Sequence, residues 1–446
     1  MKAVVLAWAL CVLPASAALA DEARRDAQQN PCPDELPARP LALLDVVNGA
    51  LCHNPQTRIG WANRLAQEAQ VSVLRAPYFP TVTATASLSR NNPVAGASTN
   101  QRGIGLSLSY LLYDFGARAA NLENAQQLLK ALQATENSVV QTVFLAAVQA
   151  FYQVQATKAV AEAAASAEKA AQTSLSAAEA RYQAGTVTLA DQLTARTAWS
   201  QAKLNRITAE GNHRSAQGAL ANALGQDAQR PLALVADSDL SAKNLQDFQQ
   251  DVNALVAQAR AHRPDLQAAE AQYQAARASV DAARAAAWPT LNFTASNNWQ
   301  GVNGAALGQS STLGLTLSVP LFSGLAPTYR IQAAEAQANS KQATLQQLHL
   351  QVALEVWNAY QAVLTNTQTL RAAQDVLQSA TQAEAVASGR YQAGVGILLD
   401  VLNAQSTLAS ARQQLIQARF NWNIARASLA QSVGQLDVSV LQDVKQ

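Results

Sequence analysis

Four stretches of the chain alternate between apolar and polar residues. Over 81–90, Val82, Ala84, Ala86 and Leu88 fall on one side and Thr83, Thr85, Ser87 and Ser89 on the other. Over 103–113, Ile104, Leu106, Leu108 and Tyr110 oppose Gly105, Ser107 and Ser109. The pattern returns at 290–299, where Leu291, Phe293 and Ala295 oppose Asn292, Thr294 and Ser296, and at 312–322, where Leu313, Leu315, Leu317 and Val319 oppose Thr312, Gly314, Thr316 and Ser318. A period of two predicts β-strands with one apolar and one polar face. The linkers 91–102 and 300–311 are rich in Asn, Gly and Ser and read as exposed loops. Elsewhere the period is helical. Residues 117–184 contain no glycine or proline, which predicts a helical rod on the order of 100 Å. A second helix is expected over 189–224, and the pair recurs at 328–393 and 399–433. Val356, Val363, Leu370 and Leu377 lie seven apart, as do Val401, Leu408, Leu415, Trp422 and Leu429. Sustained sevens predict coiled-coil packing of helix on helix. A shorter helix is expected to open at Asn54-Pro55, and again at Arg263-Pro264, where proline suits the first turn.

These elements belong to two copies of one unit. An offset of 209 carries His53 and Pro55 onto His262 and Pro264, Pro80-Thr81 onto Pro289-Thr290, and Arg181-Tyr182-Gln183-Ala184-Gly185 onto Arg390-Tyr391-Gln392-Ala393-Gly394. The same offset carries Asp191 onto Asp400 and Gly225 onto Gly434. A gap-free register of this length indicates internal duplication. Repeat 1 spans 45–225 and repeat 2 spans 254–434, with an inter-repeat, equatorial segment at 226–253 and a tail at 435–446.

A strand pair lying on a soluble core produces the same alternation. Three features favour a membrane barrel wall instead. The strands have the roughly ten residues that cross a bilayer at a tilt. Aromatic residues Tyr78, Phe79, Tyr110, Tyr113, Trp288, Trp299 and Phe322 sit at or near the strand ends, as an interfacial girdle does. The polar face carries small uncharged residues that suit a water-filled lumen. Four strands cannot close in lipid, because open edges leave backbone groups unsatisfied, so several chains must contribute. The expected class is mixed and dominated by α: a long coiled-coil helical barrel plus four strands per chain in a shared β-barrel. Eight strands would leave an interior filled by side chains, so three or more chains suit a conduit better.

Residues 1–20 read as a secretory signal peptide, with Lys2 before an apolar run and Ala18-Leu19-Ala20 as the cleavage site; 21–44 follows as an N-terminal extension. Trp8-Ala9-Leu10 before Cys11 lacks the small residues of a lipid-anchor signal. Cys32 and Cys52 remain in the mature chain, and spacing does not choose between a disulfide and two free thiols. Lys plus Arg number 32 against 30 Asp plus Glu, a balance unlike that of a nucleic-acid binder. The four histidines, His53, His213, His262 and His349, are scattered without metal spacing. No phosphate loop, nucleophile elbow or Cys/His pair appears. No enzyme, cofactor or metal site is expected.

The duplicated unit with two strands and two long helices per copy, behind a signal peptide, resembles the outer membrane efflux protein family, the TolC family. The most specific motif is Arg390-Tyr391-Gln392-Ala393-Gly394-Val395-Gly396-Ile397-Leu398-Leu399-Asp400-Val401-Leu402-Asn403-Ala404, similar to the family's helix-tip signature, with a weaker twin from Arg181 to Leu193. The resemblance implies a homotrimer with a 12-stranded barrel in the outer membrane and a helical tunnel in the periplasm. It implies docking of the tunnel's far end on a periplasmic adaptor and an inner-membrane ABC or RND transporter, and a role in export.

The resemblance also assigns residues. Tyr391, Asp400 and Asn403 match the periplasmic gate; Gly185, Asp191, Gly394 and Gly396 lie at the tips expected to meet the adaptor. Two positions depart from the family pattern: Gly396 replaces an arginine and Asn403 the second of two aspartates. These departures put the gate's locking ion pair in question and leave a single aspartate ring. A structural role for Asp191 and Asp400, negative charge in a helix's first turn, carries equal weight. Pro31-Cys32-Pro33 and the segment Ala50-Leu51-Cys52-His53-Asn54-Pro55-Gln56-Thr57 look like the branch used in haemolysin- and cyclolysin-type toxin secretion, which favours type I secretion over multidrug efflux.

Overall fold

The computed structural model describes residues 37, 39–95, 97–230, 232–235 and 251–436. The signal peptide, most of the N-terminal extension, Cys32, residues 236–250 and 437–446 lie outside the described residues. In order, the elements are α1 Leu43–His53, α2 Pro55–Arg75, β1 Thr81–Asn91, β2 Thr99–Tyr113, α3 Ala117–Gln183 and α4 Leu189–Ala223, then α5 Val252–His262, α6 Pro264–Ala285, β3 Thr290–Val302, β4 Gly308–Ser318, α7 Ala326–Gln392 and α8 Leu398–Ser432. The same six-element order occurs twice.

Three expectations are revised. Each repeat opens with two helices, not one: α1 and α5 precede the breaks at Asn54-Pro55 and Arg263-Pro264, where the residue before proline is driven to an extended conformation. The strands reach further into the linkers than alternation indicated, because the ladder continues through Asn91↔Thr99 and Gln101↔Val302 after both faces have turned polar. The fourth strand ends at Ser318, not at 322, as Pro320 lacks the N–H a ladder needs.

Residue contacts divide the chain into two units. One comprises 60–138 and 264–351. It contains a four-stranded antiparallel sheet in the order β1-β2-β3-β4, so β1 and β4 are its edges. Register aligns the faces across all four strands. Val82, Leu108, Ala295 and Leu313 form one row of the apolar face; Thr83, Ser107, Ser296 and Thr312 form a row of the polar face. The β3–β4 turn places Asn303 and Gly304 at positive φ, the pattern of a tight hairpin turn, and Arg102 donates to the carbonyls of Gly304 and Ala305. Below the sheet, Arg118 binds Asp114 at 3.1 Å, donates to the carbonyls of Pro77 and Leu111, and lies over the Tyr78 ring. The helices of this unit are joined by Arg64–Glu136 at 2.8 Å and Arg284–Glu335 at 2.7 Å.

The other unit comprises the described residues before 60, those within 139–263 and those from 352 to 436. Its larger core joins Val46, Val47 and Ala50 of α1 to Val143, Ala147, Val148 and Phe151 of α3, Leu220 and Leu224 at the end of α4, and Ala427 of α8. The heptad residues Val356, Val363 and Leu370 of α7 and Val401, Leu408 and Leu429 of α8 are buried. An 18-residue window of α3 is apolar enough to cross a membrane by length and composition, but this helix supplies much of that core. The long helices α4 and α8 end in left-handed glycines, Gly225 and Gly434, pressed against the breaks before Pro55 and Pro264. Asn54 donates to the Ala223 carbonyl, and Arg263 donates to that of Ser432 while pairing with Glu355 at 2.6 Å. Cys52 is disulfide-bonded, the first of the two alternatives left open by the sequence; Cys32 lies outside the described residues.

Candidate functional site

The candidate site is the turn between the two long helices of each repeat. Both turns are built alike. Gly185 takes φ of 72° and Gly394 of 79°, the left-handed residue that stops a helix. The Gly185 amide donates to Tyr182 O and the Thr186 amide to Arg181 O; in repeat 2 Gly394 donates to Tyr391 O and Val395 to Arg390 O. These paired bonds satisfy carbonyls that a helix end leaves open.

The following helices begin differently. In repeat 1, Thr188 caps α4: its hydroxyl accepts from the Asp191 amide at 3.3 Å, and the Asp191 carboxylate accepts from the Thr188 amide at 3.0 Å and hydroxyl at 2.8 Å. Those hydrogen bonds, the hydroxyl's first and the amide's second, hold the Asp191 carboxyl below the usual range. In repeat 2 the capping position is Ile397, which offers no acceptor. Asp400 therefore stays exposed with no hydrogen-bond partner among the described residues, and it lines a groove with Arg390 and Gly396. Of the two equal readings of these aspartates, the helix-start role describes Asp191 and leaves the charge of Asp400 uncommitted.

The tip core brings Tyr391 together with Leu175, Ala178, Ala195, Leu398, Val401 and Leu402. Arg181 lies over the Tyr391 ring at 4.1 Å and donates to its carbonyl at 3.0 Å. The Tyr391 hydroxyl is buried, with no hydrogen-bond partner among the described residues. Arg181 opens the weaker twin of the tip motif, but nothing in the sequence pairs it with Tyr391 of the other repeat. Asn403 is exposed, one turn along α8 from Asp400. Gly396 is tightly seated: a Cβ there would stand 3.1 Å from the Arg390 Cβ and from the Tyr391 amide nitrogen. Among the described residues no three His, Cys, Asp or Glu side chains gather as a metal site.

The sheet, one face mainly apolar and the other mainly polar, is joined in sequence to two pairs of long helices. A family model described as "Outer membrane efflux protein" matches residues 46–226 and 255–435, two stretches displaced by the same 209 residues as the internal repeat. The chain belongs to this family of channels, the family of TolC. Protein CyaE of Bordetella pertussis (strain Tohama I) is 32% identical over 408 residues, covering 90% of this chain and 85% of that protein. Outer membrane protein TolC of Escherichia coli K12 is 24% identical over 418 residues, covering 89% and 82%. Crystal structures of CusC, described with its transmembrane channel formation, match the fold with a TM-score of 0.78 at 22% identity, over 91% of this chain and 97% of that one. The chain is an outer-membrane export duct whose strands lie in the outer membrane and whose helical part lies in the periplasm.

Proposed function

We propose that three copies of this chain close a 12-stranded barrel and a periplasmic tunnel, which docks on a periplasmic adaptor and an inner-membrane ABC transporter and passes a secreted protein toxin of the RTX class. The observation that carries this reading is the sheet itself: four strands, two open edges and an exposed apolar face. Open edges are not tolerated in hydrocarbon, and the smallest closed barrels have about eight strands. The polar face, mostly Ser, Thr, Asn, Gln and Gly, suits water and has no chemistry to drive transport, so energy enters from a partner. Tyr391, Asp400 and Asn403 form the periplasmic constriction in this reading. The tips at Gly185, Asp191, Gly394 and Gly396 face the adaptor.

Support for protein cargo comes from the resemblance of the Cys52-containing segment to the toxin-secretion branch and from the higher identity to CyaE than to TolC. The family's description as efflux proteins supports a second reading, the outer-membrane component of a multidrug pump with an RND transporter. The two separate in a host lacking its own duct, supplied with this chain, an ABC exporter, its adaptor and an RTX substrate. Toxin in the medium that depends on this chain, with unchanged drug susceptibility, is the expected result. Restored drug resistance without secreted protein assigns the second reading.

A further inference from the structure

The Arg-Tyr pair at the tip occurs twice in the chain but makes its contact once. Arg181 of repeat 1 covers Tyr391 of repeat 2. The offset of 209 turns this contact into its counterpart, Arg390 over Tyr182. Within one chain that counterpart is absent: among the described residues neither the Arg390 nor the Tyr182 side chain has a partner, and both are exposed. Burial follows the same division. Tyr391, Leu398 and Leu402 are 8%, 5% and 9% exposed, whereas their counterparts Tyr182, Leu189 and Leu193 are 41%, 50% and 51% exposed.

The receiving surface is also present and empty of protein. Tyr391 packs on the α3 surface that carries Ala178 and Arg181. The matching surface on α7 is a groove of about 460 Å³ walled by Ser379, Gln382, Ala383, Val386, Ala387 and Arg390, with Gly396 and Asp400 of the following turn at its side. Small residues let a neighbouring helix approach, and Arg390 stands at its end as Arg181 does over Tyr391. In a ring in which the two kinds of repeat alternate, a contact from repeat 1 to repeat 2 inside a chain requires a contact from repeat 2 to repeat 1 between chains.

We infer that the groove on α7 receives a second copy of this chain: Tyr182 of the neighbouring copy stacks beneath Arg390, and its Leu189 and Leu193 are covered by the same approach. The contact is a cation–π pair at the rim of an apolar seam, of the kind the chain already makes internally. It rests on the reading that several copies form one duct, and adds which residues join them at the tip.

Cysteine pairs in the full-length protein, purified in mild detergent, test it. Tyr182→Cys with Ala387→Cys, treated with a bismaleimide, is expected to give two- and three-chain bands on denaturing gels. Ala178→Cys with Tyr391→Cys, the internal counterpart, should retain one-chain mass. The native mass of the same sample is measured in parallel. An oligomer whose first pair yields no interchain product overturns the inference alone; a one-chain native mass overturns the assembly reading. Without cysteines, Arg390→Ala and Tyr182→Ala should each lower the temperature at which the oligomer dissociates, with the double variant no lower than the worse single variant. Additive losses overturn the contact.

Discussion

Asp191 and Asp400 stand at the same place in two copies of one motif, and a single neighbour separates their roles. Thr188 gives Asp191 a reciprocal cap; Ile397 gives Asp400 none. Thr188→Ala should therefore loosen the first turn of α4 by about 0.5–2 kcal/mol, read as faster amide exchange there. Ile397→Thr should protect the first turn of α8 by a similar amount. Because the Asp191 carboxyl is held below its usual range, the stabilisation from its cap is present above the unfolded value of about 3.9 and is lost as pH falls through the lower folded value. Exchange at the start of α4 should accelerate in that acidic window. Thr188-x-x-Asp191 is a cap that can be read from sequence, but Arg181 over Tyr391 is not: the two lie 210 residues apart, and the same dipeptide in both copies does not say which arginine meets which tyrosine. Glycines separate in the same way. A Cβ at Gly225 would stand 2.3 Å from the His53 carbonyl oxygen, whereas one at Gly185 meets nothing within 4 Å. Gly185→Ala should cost only the left-handed term of about 1–2 kcal/mol; Gly225→Ala should cost more and lower the thermal midpoint of the helical core further.

At the scale of elements, the sheet's two faces were legible because alternation records which side meets lipid. The strand tips were not, because beyond the apolar band both faces are polar and the pattern vanishes while the hydrogen-bond ladder continues through Arg90↔Asn100. Of the helix pairs α1–α2 and α5–α6, the sequence marks only the second member, by the proline that opens it; the 11-residue α1 and α5 carry no start signal as strong. The register makes the facing testable. Leu106 shares its row with Ala84, Asn297 and Ser311 on the apolar face, and Ser107 shares its row with Thr83, Ser296 and Thr312 on the other. Leu106→Arg should impair insertion, a lipid-facing arginine near the midplane costing about 2–4 kcal/mol. Ser107→Arg should insert and change conductance. Yield of heat-resistant oligomer in the outer membrane, together with single-channel current, distinguishes the two; equal insertion defects would reverse the facing.

At the scale of the whole molecule, selectivity is decided by where charge is left uncommitted along the path. The polar face of the barrel wall is made of neutral rows such as Thr81, Ser109, Thr294 and Gly314, which attract neither sign of ion strongly. Asp191 spends its charge on a cap. Asp400 is exposed, unpartnered among the described residues and near the end of α7, so in an assembly its copies add up wherever the tips converge. Like charges around a narrow mouth raise the local concentration of cations and bind multivalent ones. Asp400→Asn should then reduce cation selectivity and relieve block by multivalent cations in planar-bilayer recordings. It should barely alter the thermal midpoint, because no cap is lost and the helix-dipole term is only about 0.3–1 kcal/mol. Asp191→Asn should show the opposite division, with selectivity kept and the first turn of α4 weakened. Installing an arginine at Gly396 is a poorer probe of the same ring, since its Cβ would crowd the Tyr391 amide nitrogen at 3.1 Å and shift the turn that positions Asp400. Unchanged selectivity in Asp400→Asn, with a lowered midpoint, would return this aspartate to a helix-start role and place the constriction elsewhere along the path.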